Sequence, residues 1–209
     1  MWRMSFMQLM TSLRKKLRRL VAFIEFWRVY GSGKVLGMTY VVSYLRNPNP
    51  AITTRLLRAF GASIGSKTTF KRGVRIDNSF EDQASTGDLA NLVVGEDCYI
   101  GDDVYFDLSN KIVIEDSAVI AGHVSLITHA DCNRSEFLNA IFPRYCAPIK
   151  IGRGAWLGFN CTLLAGVEVG ENTLVASSAL LTASADSHSV YAGIPASRKR
   201  TLTQTGMEC

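Results

Sequence analysis

The sequence has few of the groups that enzymes use for covalent or metal chemistry. Only three of its 209 residues are histidine, and no HxH pair or mixed histidine–cysteine cluster occurs, which argues against a metal site. No GxSxG motif is present and the five cysteines form no CxxC pair, so covalent catalysis by a serine or cysteine nucleophile is not expected. An odd cysteine count without a recognisable signal peptide predicts reduced thiols and a cytoplasmic protein.

Negative charge is almost missing from the first part of the chain. Residues 1–58 contain 11 Lys/Arg and a single acid, Glu25, whereas residues 59–209 contain 12 Lys/Arg and 17 Asp/Glu. The net charges of the two parts are therefore +10 and −5. The basic character belongs to an N-terminal arm, and the remainder lacks the basic face with interleaved aromatic residues that nucleic-acid binding requires.

The arm, residues 1–58, contains an apolar stripe with helical spacing, so an amphipathic helix is predicted. Basic residues crowd the other faces of the same turns. Two interpretations stay open. In the first, the stripe lies on the anionic inner face of the membrane. In the second, it packs against protein, either the folded domain or a neighbouring subunit. The stripe consists of Leu13, Leu17, Leu20, Ile24 and Trp27, and the basic residues are Arg14, Lys15, Lys16, Arg18 and Arg19.

The arm is not expected to span a membrane. Glu25, Arg28 and residues 31–34, Gly-Ser-Gly-Lys, interrupt the apolar run, and the apolar segment 35–45 is too short to cross a bilayer about 30 Å thick. Pro50 is expected to begin a short helix that directs Leu56 and Leu57 inward.

From residue 59 the dominant pattern is an aliphatic residue at every sixth position. This period matches neither a helix nor a half-buried strand, but it is typical of a β-solenoid, in which short strands turn a corner every six residues. We therefore predict an all-β solenoid with an N-terminal helical extension. The inward residues are Ile151, Leu157, Leu163, Val169, Val175 and Leu181, with the same register at Ile64, Phe70, Ile76, Val94, Ile100, Phe106, Ile114, Ile120 and Leu126.

Two segments break the period. Residues 81–91 are polar and predict a loop that leaves one corner of the solenoid. Residues 130–148 form a longer excursion that begins directly after His129. Because it is rich in apolar residues, it is expected to fold over something and not to extend into solvent. Those apolar residues are Phe137, Leu138, Ile141, Phe142 and Tyr145.

Three motifs resemble those of the hexapeptide-repeat acyltransferases, and within that superfamily they are most similar to the maltose, galactoside and colanic-acid type O-acetyltransferases. They are LITH at 126–129, IKIGRGAWLG at 149–158 and VYAGIPA at 190–196. The resemblance implies a left-handed parallel β-helix, against the right-handed rule for crossovers, and a homotrimer. It divides the chain into the arm 1–58, an acyltransferase domain 59–200 and a tail 201–209.

His129 is the expected general base, because imidazole is suited to accept a hydroxyl proton near neutral pH. His123 occupies an equivalent slot of the preceding hexapeptide, and we expect it, like His188, to be structural. One coil earlier the family commonly carries an Asn that positions substrate, and the corresponding residue here is Asp107. A carboxylate would repel an oxyanion but could hold an acceptor hydroxyl.

The resemblance also implies that acetyl-CoA lies in a groove between subunits, with its pantetheine arm against one corner of the solenoid. Ala183 stands where the family carries a lysine, so another group is needed for the CoA phosphates. The C-terminal cations could supply it, or they could form a solvated tail. The expected cofactor residues are Trp156, Gly158, Ala176, Ser178, Arg198, Lys199 and Arg200.

These features predict an acetyl-CoA-dependent O-acetyltransferase that modifies a saccharide hydroxyl, in a setting such as exopolysaccharide or capsule assembly. Two alternatives remain. One is N-acetylation of an amino sugar or acetylation of an antibiotic, and the other is a noncatalytic scaffold at the membrane surface.

Overall fold

Three helices precede the first strand. The computed structural model describes residues 6–83 and 85–203; Cys209 and the rest of the predicted tail from 204 onward lie outside the described residues, as do the first five residues of the arm and position 84 of the predicted polar loop. The helices are α1 (Phe6–Leu36), α2 (Met38–Leu45) and α3 (Pro50–Ala59).

Helix α1 is continuous through residues 31–34, so the Gly-Ser-Gly-Lys segment that interrupts the apolar run does not interrupt the helix. The helix ends instead before Gly37, whose φ of 81° lies in the left-handed region. Packing explains why a glycine is retained inside the helix. A Cβ on Gly33 would lie 2.6 Å from side-chain atoms of both Phe60 and Val41, so only glycine permits these two side chains to lie so close to α1.

Polar contacts join the three helices. The side chain of Asn49 caps α3 by accepting from the Ala51 N–H, and Pro50 occupies the first turn as predicted. The carboxylate of Glu25 on α1 accepts from Tyr44 Oη at 2.6 Å and from Asn49 Nδ2 at 2.7 Å. These two hydrogen bonds lower the pKa of Glu25. The single acid of the arm is thus committed to holding the helices together.

The stripe residues Leu13, Leu17, Leu20, Ile24 and Trp27, which we call the outer stripe, are 49–58 % exposed. The predicted helix is confirmed, but the interpretation that this stripe packs on the chain's own solenoid is wrong. Residues on the opposite side of α1 make that contact instead, among them Phe26 and Val29.

The solenoid is built from three parallel sheets, each extended once per coil. Sheet A contains β1 (Ser63–Ile64), β4 (Leu92–Val94), β7 (Ile112–Ile114), β12 (Ile149–Ile151) and β15 (Glu168–Val169). Sheet B contains β2 (Thr69–Phe70), β5 (Tyr99–Ile100), β8 (Val119–Ile120), β13 (Trp156–Leu157), β16 (Leu174–Val175) and β18 (Ser189–Gly193), and ends on the antiparallel β19 (Ala196–Thr201). Sheet C contains β3 (Arg75–Asp77), β6 (Tyr105–Asp107), β9 (Ser125–Leu126), β14 (Thr162–Leu163) and β17 (Leu180–Leu181).

The six-residue period is confirmed, because every predicted inward aliphatic residue is buried. The chain visits sheets A, B and C in rotation, so one period corresponds to one strand and one corner. Equivalent residues stack directly between coils, as Ile114 does with Ile151 and Ile120 with Leu157. Burial of each such side chain contributes roughly 1.5–3 kcal/mol to the hydrophobic term.

Glycine often follows the inward residue because neighbouring coils approach most closely at that point. A Cβ on Gly158 would lie 2.5 Å from the Ser177 backbone nitrogen, and one on Gly65 would lie 2.4 Å from the Gly95 carbonyl carbon. A side chain at these positions would push the coils apart, so the corner glycines allow the stacking that the sheets require.

The excursion consists of the antiparallel pair β10 (His129–Ala130) and β11 (Tyr145–Cys146) with the short helix α4 (Glu136–Ile141) between them. No residue of α4 is buried, and Phe137 is 74 % exposed. The apolar side chains of α4 are therefore not covered within a single subunit, and what the excursion folds over stays a prediction.

No helix within residues 6–83 and 85–203 combines the length and apolar character needed to span a membrane.

The two glycines of α1 provide a test of the packing at Gly33. Gly33→Ala should lower the free energy of unfolding by about 1–3 kcal/mol, because the new methyl group overpacks against Phe60 and Val41. Gly31→Ala is the matched control, since a Cβ there meets nothing within 4 Å. It should stabilise the helix by about 0.5–1 kcal/mol. Thermal unfolding followed by circular dichroism measures both, and equal shifts would contradict the packing argument.

Candidate active site

Asp107 and His129 meet at the corner between sheets C and A. Asp107 ends β6, and His129 follows β9, which pairs with β6 in parallel register. Stacking of the two coils therefore brings together residues 22 positions apart. The Asp107 Oδ2–His129 Nδ1 distance is 2.6 Å; the carboxylate side chain is 0 % exposed and the imidazole 24 %.

Every contact that Asp107 makes comes from a donor. Oδ1 accepts from Asn78 Nδ2 at 3.0 Å and from the Ser109 N–H at 3.2 Å. Oδ2 accepts from the Thr128 N–H at 2.8 Å, the His129 N–H at 3.0 Å and His129 Nδ1. Burial alone would raise the pKa of Asp107, but these hydrogen bonds outweigh it and lower the pKa. The group is a carboxylate at neutral pH.

An ionised carboxylate can only accept hydrogen bonds, so the His129 nitrogen that faces it, Nδ1, carries the proton. In the neutral ring Nε2 then has a free lone pair. The partly exposed ring can use this nitrogen to accept a proton from a substrate. The contact with Asp107 fixes the tautomer and the orientation of the ring.

The burial of Asp107 changes its expected role. A side chain without exposed surface, with both oxygens committed to protein donors, is not placed to hold an acceptor hydroxyl. It orients His129 instead. This explains why a carboxylate can stand where the family commonly carries an amide: an Asn in this position would direct its NH₂ group at donors in either orientation.

Sequence analysis missed the residues that surround the carboxylate. Asn78 precedes Asp107 by one coil, and its φ of 54° brings its amide to the same corner. Thr128 is buried and donates from Oγ1 to the Asp107 carbonyl oxygen at 2.8 Å. Thr128 could have been predicted as a site residue, because it lies inside the LITH motif. Asn78 could not, because the irregular loop that follows it obscures the register between its coil and the next.

His123 lies in a different environment. It occupies the corner between sheets B and C, with a φ of 60°, and its ring stacks edge-on against Phe159 at 5.0 Å between centroids. The equivalent hexapeptide slots therefore do not produce equivalent sites, since only His129 has a buried carboxylate beside it.

Most of the expected cofactor residues cluster at the corner that holds His123. Gly158 packs against the backbone around Ala176, and Ser178 Oγ lies 3.4 Å from Asn160 Nδ2 in the preceding coil. Trp156 stands just before this corner on the outer surface of sheet B and is 52 % exposed. Within one subunit these residues and His129 occupy two different corners.

The C-terminal cations are on a strand and not in a tail. Arg198, Lys199 and Arg200 belong to β19, and Arg198 Nη1 lies 3.4 Å from Asp186 Oδ2. Strand pairing connects these cations to the tryptophan. From β19 to β13 the paired residues are Arg200, Val190, Leu174 and Trp156. Arg200 and Trp156 thus belong to one outward row of sheet B.

The excursion lies next to His129 and encloses a groove of about 580 Å³. Arg144 of the excursion pairs with Asp82 of the polar loop, which leaves the same corner in the first coil. The groove is mainly apolar, with Asp131 and Cys132 as its polar members. Its lining is Ala130, Asp131, Cys132, Leu138, Ile141, Phe142, Pro143 and Tyr145.

A search of the described residues finds no group of three or more His, Cys, Asp or Glu side chains placed to hold a metal ion.

Known proteins support the family resemblance. No protein-family model matches the chain. A protein of Escherichia coli (strain K12) that carries the name colanic acid biosynthesis acetyltransferase WcaF is 28 % identical over 141 residues, which are 68 % of this chain and 70 % of that protein. The chain is thus similar to the hexapeptide-repeat acetyltransferases.

Two solved structures share the fold of this chain. A maltose O-acetyltransferase from Clostridium difficile 630 superposes with a TM-score of 0.62 at 19 % identity, over 86 % of this chain and 89 % of that one. A galactoside acetyltransferase in complex with coenzyme A gives a TM-score of 0.65 at 19 % identity, over 85 % and 82 %.

Asp107→Asn should destabilise this acetyltransferase by about 1–3 kcal/mol for each donor that loses its acceptor. The lowered pKa means that the carboxylate stabilises the fold above the unfolded-state pKa of about 3.9, and that this contribution is lost as pH falls through the folded pKa. Melting temperature measured against pH should therefore fall below about pH 4 in the wild type and change less in Asp107→Asn.

Asp103→Asn is the matched control, because Asp103 forms an exposed pair with Arg75. It should change stability by no more than about 1 kcal/mol. If both variants gave the same acid profile, Asp107 would not carry the pH dependence.

Proposed function

We propose that the protein is an acetyl-CoA-dependent O-acetyltransferase that modifies a saccharide hydroxyl, with His129 as its general base and Asp107 as the residue that orients it. The observation that carries the proposal is the 2.6 Å contact between His129 Nδ1 and a carboxylate with no exposed surface. A buried ion has a high desolvation cost. Here the hydrogen bond from His129 Nδ1 to the buried carboxylate leaves Nε2 of the partly exposed ring as the nitrogen available to a substrate.

The chemistry needs only one titrating side chain. His129 Nε2 takes the proton of the acceptor hydroxyl as its oxygen attacks the thioester carbonyl. The tetrahedral intermediate then collapses, the C–S bond breaks, and the imidazolium returns its proton to the leaving CoA thiolate. Asp107 stabilises the imidazolium formed between the two steps, as a carboxylate held against Nδ1 does in other histidine-dependent acyl transfers.

Coenzyme A fits the corner between sheets B and C. Gly158 is buried where the two coils meet, Ala176 is partly exposed beside it, Trp156 provides an exposed ring, and Ser178 provides an exposed hydroxyl. Arg200 of β19 lies further along the outward row of sheet B, with Arg198 and Lys199 on the same strand. These cations attract the phosphates of the donor in place of the lysine that Ala183 replaces. The coenzyme A in the galactoside acetyltransferase structure supports this choice of acyl donor.

The separation of these two corners supports a homotrimer. One subunit provides the Asp107–His129 pair and its neighbour provides the donor site, so each active site lies between subunits of a left-handed β-helix trimer. The apolar side chains of the excursion support this arrangement, since they are 43–74 % exposed in the single chain.

The names of the relatives support a saccharide acceptor. Colanic acid, galactosides and maltose all present hydroxyl groups, and the first is an exopolysaccharide. Thioester cleavage measured across panels of saccharides, amino sugars and antibiotics separates O-acetylation from N-acetylation, and the absence of cleavage with every acceptor would favour a scaffold. We place the reaction in the cytoplasm, where acetyl-CoA is made.

His129→Ala should lower kcat by about 10²–10⁴-fold, because a positioned base typically contributes that much to the rate. KM for acetyl-CoA should change little, since the donor site lies at another corner. His123→Ala is the matched control, as it shares the hexapeptide slot without the carboxylate, and it should keep its kcat. If His123→Ala lost its activity while His129→Ala stayed active, the chemistry would lie at the corner of His123 and the assignment of His129 would be wrong.

Replacing Arg198, Lys199 and Arg200 with Gln should raise KM for acetyl-CoA more than it lowers kcat. Each well-formed charge-assisted contact contributes about 1.5–3 kcal/mol, and less when exposed. The same triple change should affect 3′-dephospho-acetyl-CoA less. A matched triple at Lys67, Lys71 and Arg72, which are exposed cations at the other end of the solenoid, should leave KM unchanged. Equal losses for both donors would contradict the phosphate role.

A further inference from the structure

The outer stripe of α1 faces away from the rest of the chain. The helix contacts the body through Phe26 and Val29, which lie on the opposite side from Leu17 and Leu20 at 3.6 residues per turn. The stripe therefore cannot be covered by a small shift of the helix on its own solenoid. Large exposed apolar patches on a folded protein mark an interaction surface.

The charges around the stripe identify what covers it. Arg14 and Lys16 lie along its two edges, and Lys15, Arg18 and Arg19 occupy the remaining faces of the same turns. The one acidic residue of α1, Glu25, is bound by Tyr44 and Asn49. Long basic side chains beside an apolar stripe can reach outward to anionic headgroups while their stems stay against the acyl region.

We propose that α1 is an interfacial anchor that lies in the surface of an anionic bilayer, with the outer stripe inserted and the flanking cations bound to lipid phosphates. It does not span the bilayer, in agreement with the hydropathy of the described helices. A second copy of the stripe is a poorer partner, because it would bring five cations against five cations. This inference does not depend on the acetyl-transfer reaction.

The test uses the full chain and vesicle co-sedimentation. The wild type should bind vesicles of phosphatidylcholine with phosphatidylglycerol, should bind phosphatidylcholine alone weakly, and should lose binding as salt is raised. Leu17→Glu should lower the partition coefficient at least tenfold, because it removes buried apolar area and adds a negative charge. Leu36→Glu is the matched control: it is equally exposed on the same helix but lies off the stripe, and it should bind as the wild type does.

A second pair of variants tests the charges. Lys15→Glu/Lys16→Glu should reduce binding to the anionic vesicles more strongly than Lys67→Glu/Lys71→Glu, which makes the same charge change on the solenoid. The proposal is overturned if the wild type does not distinguish the two vesicle types, or if Leu17 and Leu36 variants bind equally. It is also overturned if Leu17→Glu changes the oligomer mass in light scattering while vesicle binding is unaffected, since the stripe would then be a subunit contact.

Discussion

The structure depends on the contact between equivalent inward aliphatic residues of successive coils. Ile114 stacks on Ile151 even though the excursion separates them in the sequence, so the apolar column restores the register after an irregular segment of considerable length. The column also determines where loops can leave, because a side chain lost from it would open a cavity in a close-packed interior. Both irregular loops leave at the corner between sheets C and A, which is where the Asp107–His129 pair lies.

The site follows from that constraint. Parallel stacking of β6 on β9 brings Asp107 against residues 128 and 129 without any dedicated loop contact. The carboxylate is buried because it ends a core strand, and it remains charged because five donors surround it. A rigid solenoid therefore supplies a histidine with a fixed tautomer, while the excursion beside it provides a variable wall.

The chain has two parts of opposite electrostatic character. Its arm is basic and carries an apolar stripe turned away from the body, whereas its solenoid is acidic and closes its own core. Most of the large apolar side chains left exposed lie on α1, on the excursion and around Trp156. They belong to different elements of the fold, and the partners that we propose for them differ accordingly: a lipid surface, a neighbouring subunit and the acyl donor.

The sequence alone determined the core, because a six-residue period specifies which side chains point inward independently of the loops. Asn49 and Pro50 likewise determined the start of α3 through local geometry. It also singled out His129. Tertiary structure decided the rest. Helix α1 continues through Gly31 and Gly33 because Phe60 and Val41 pack where no side chain is present, which no local propensity reveals. The role of Asp107 depended on Asn78, Ser109 and Thr128, whose approach requires the register between coils. Periodicity in the sequence predicts whether a side chain points inward or outward. Which residues it contacts depends on how the coils stack once the irregular loops have been inserted between them.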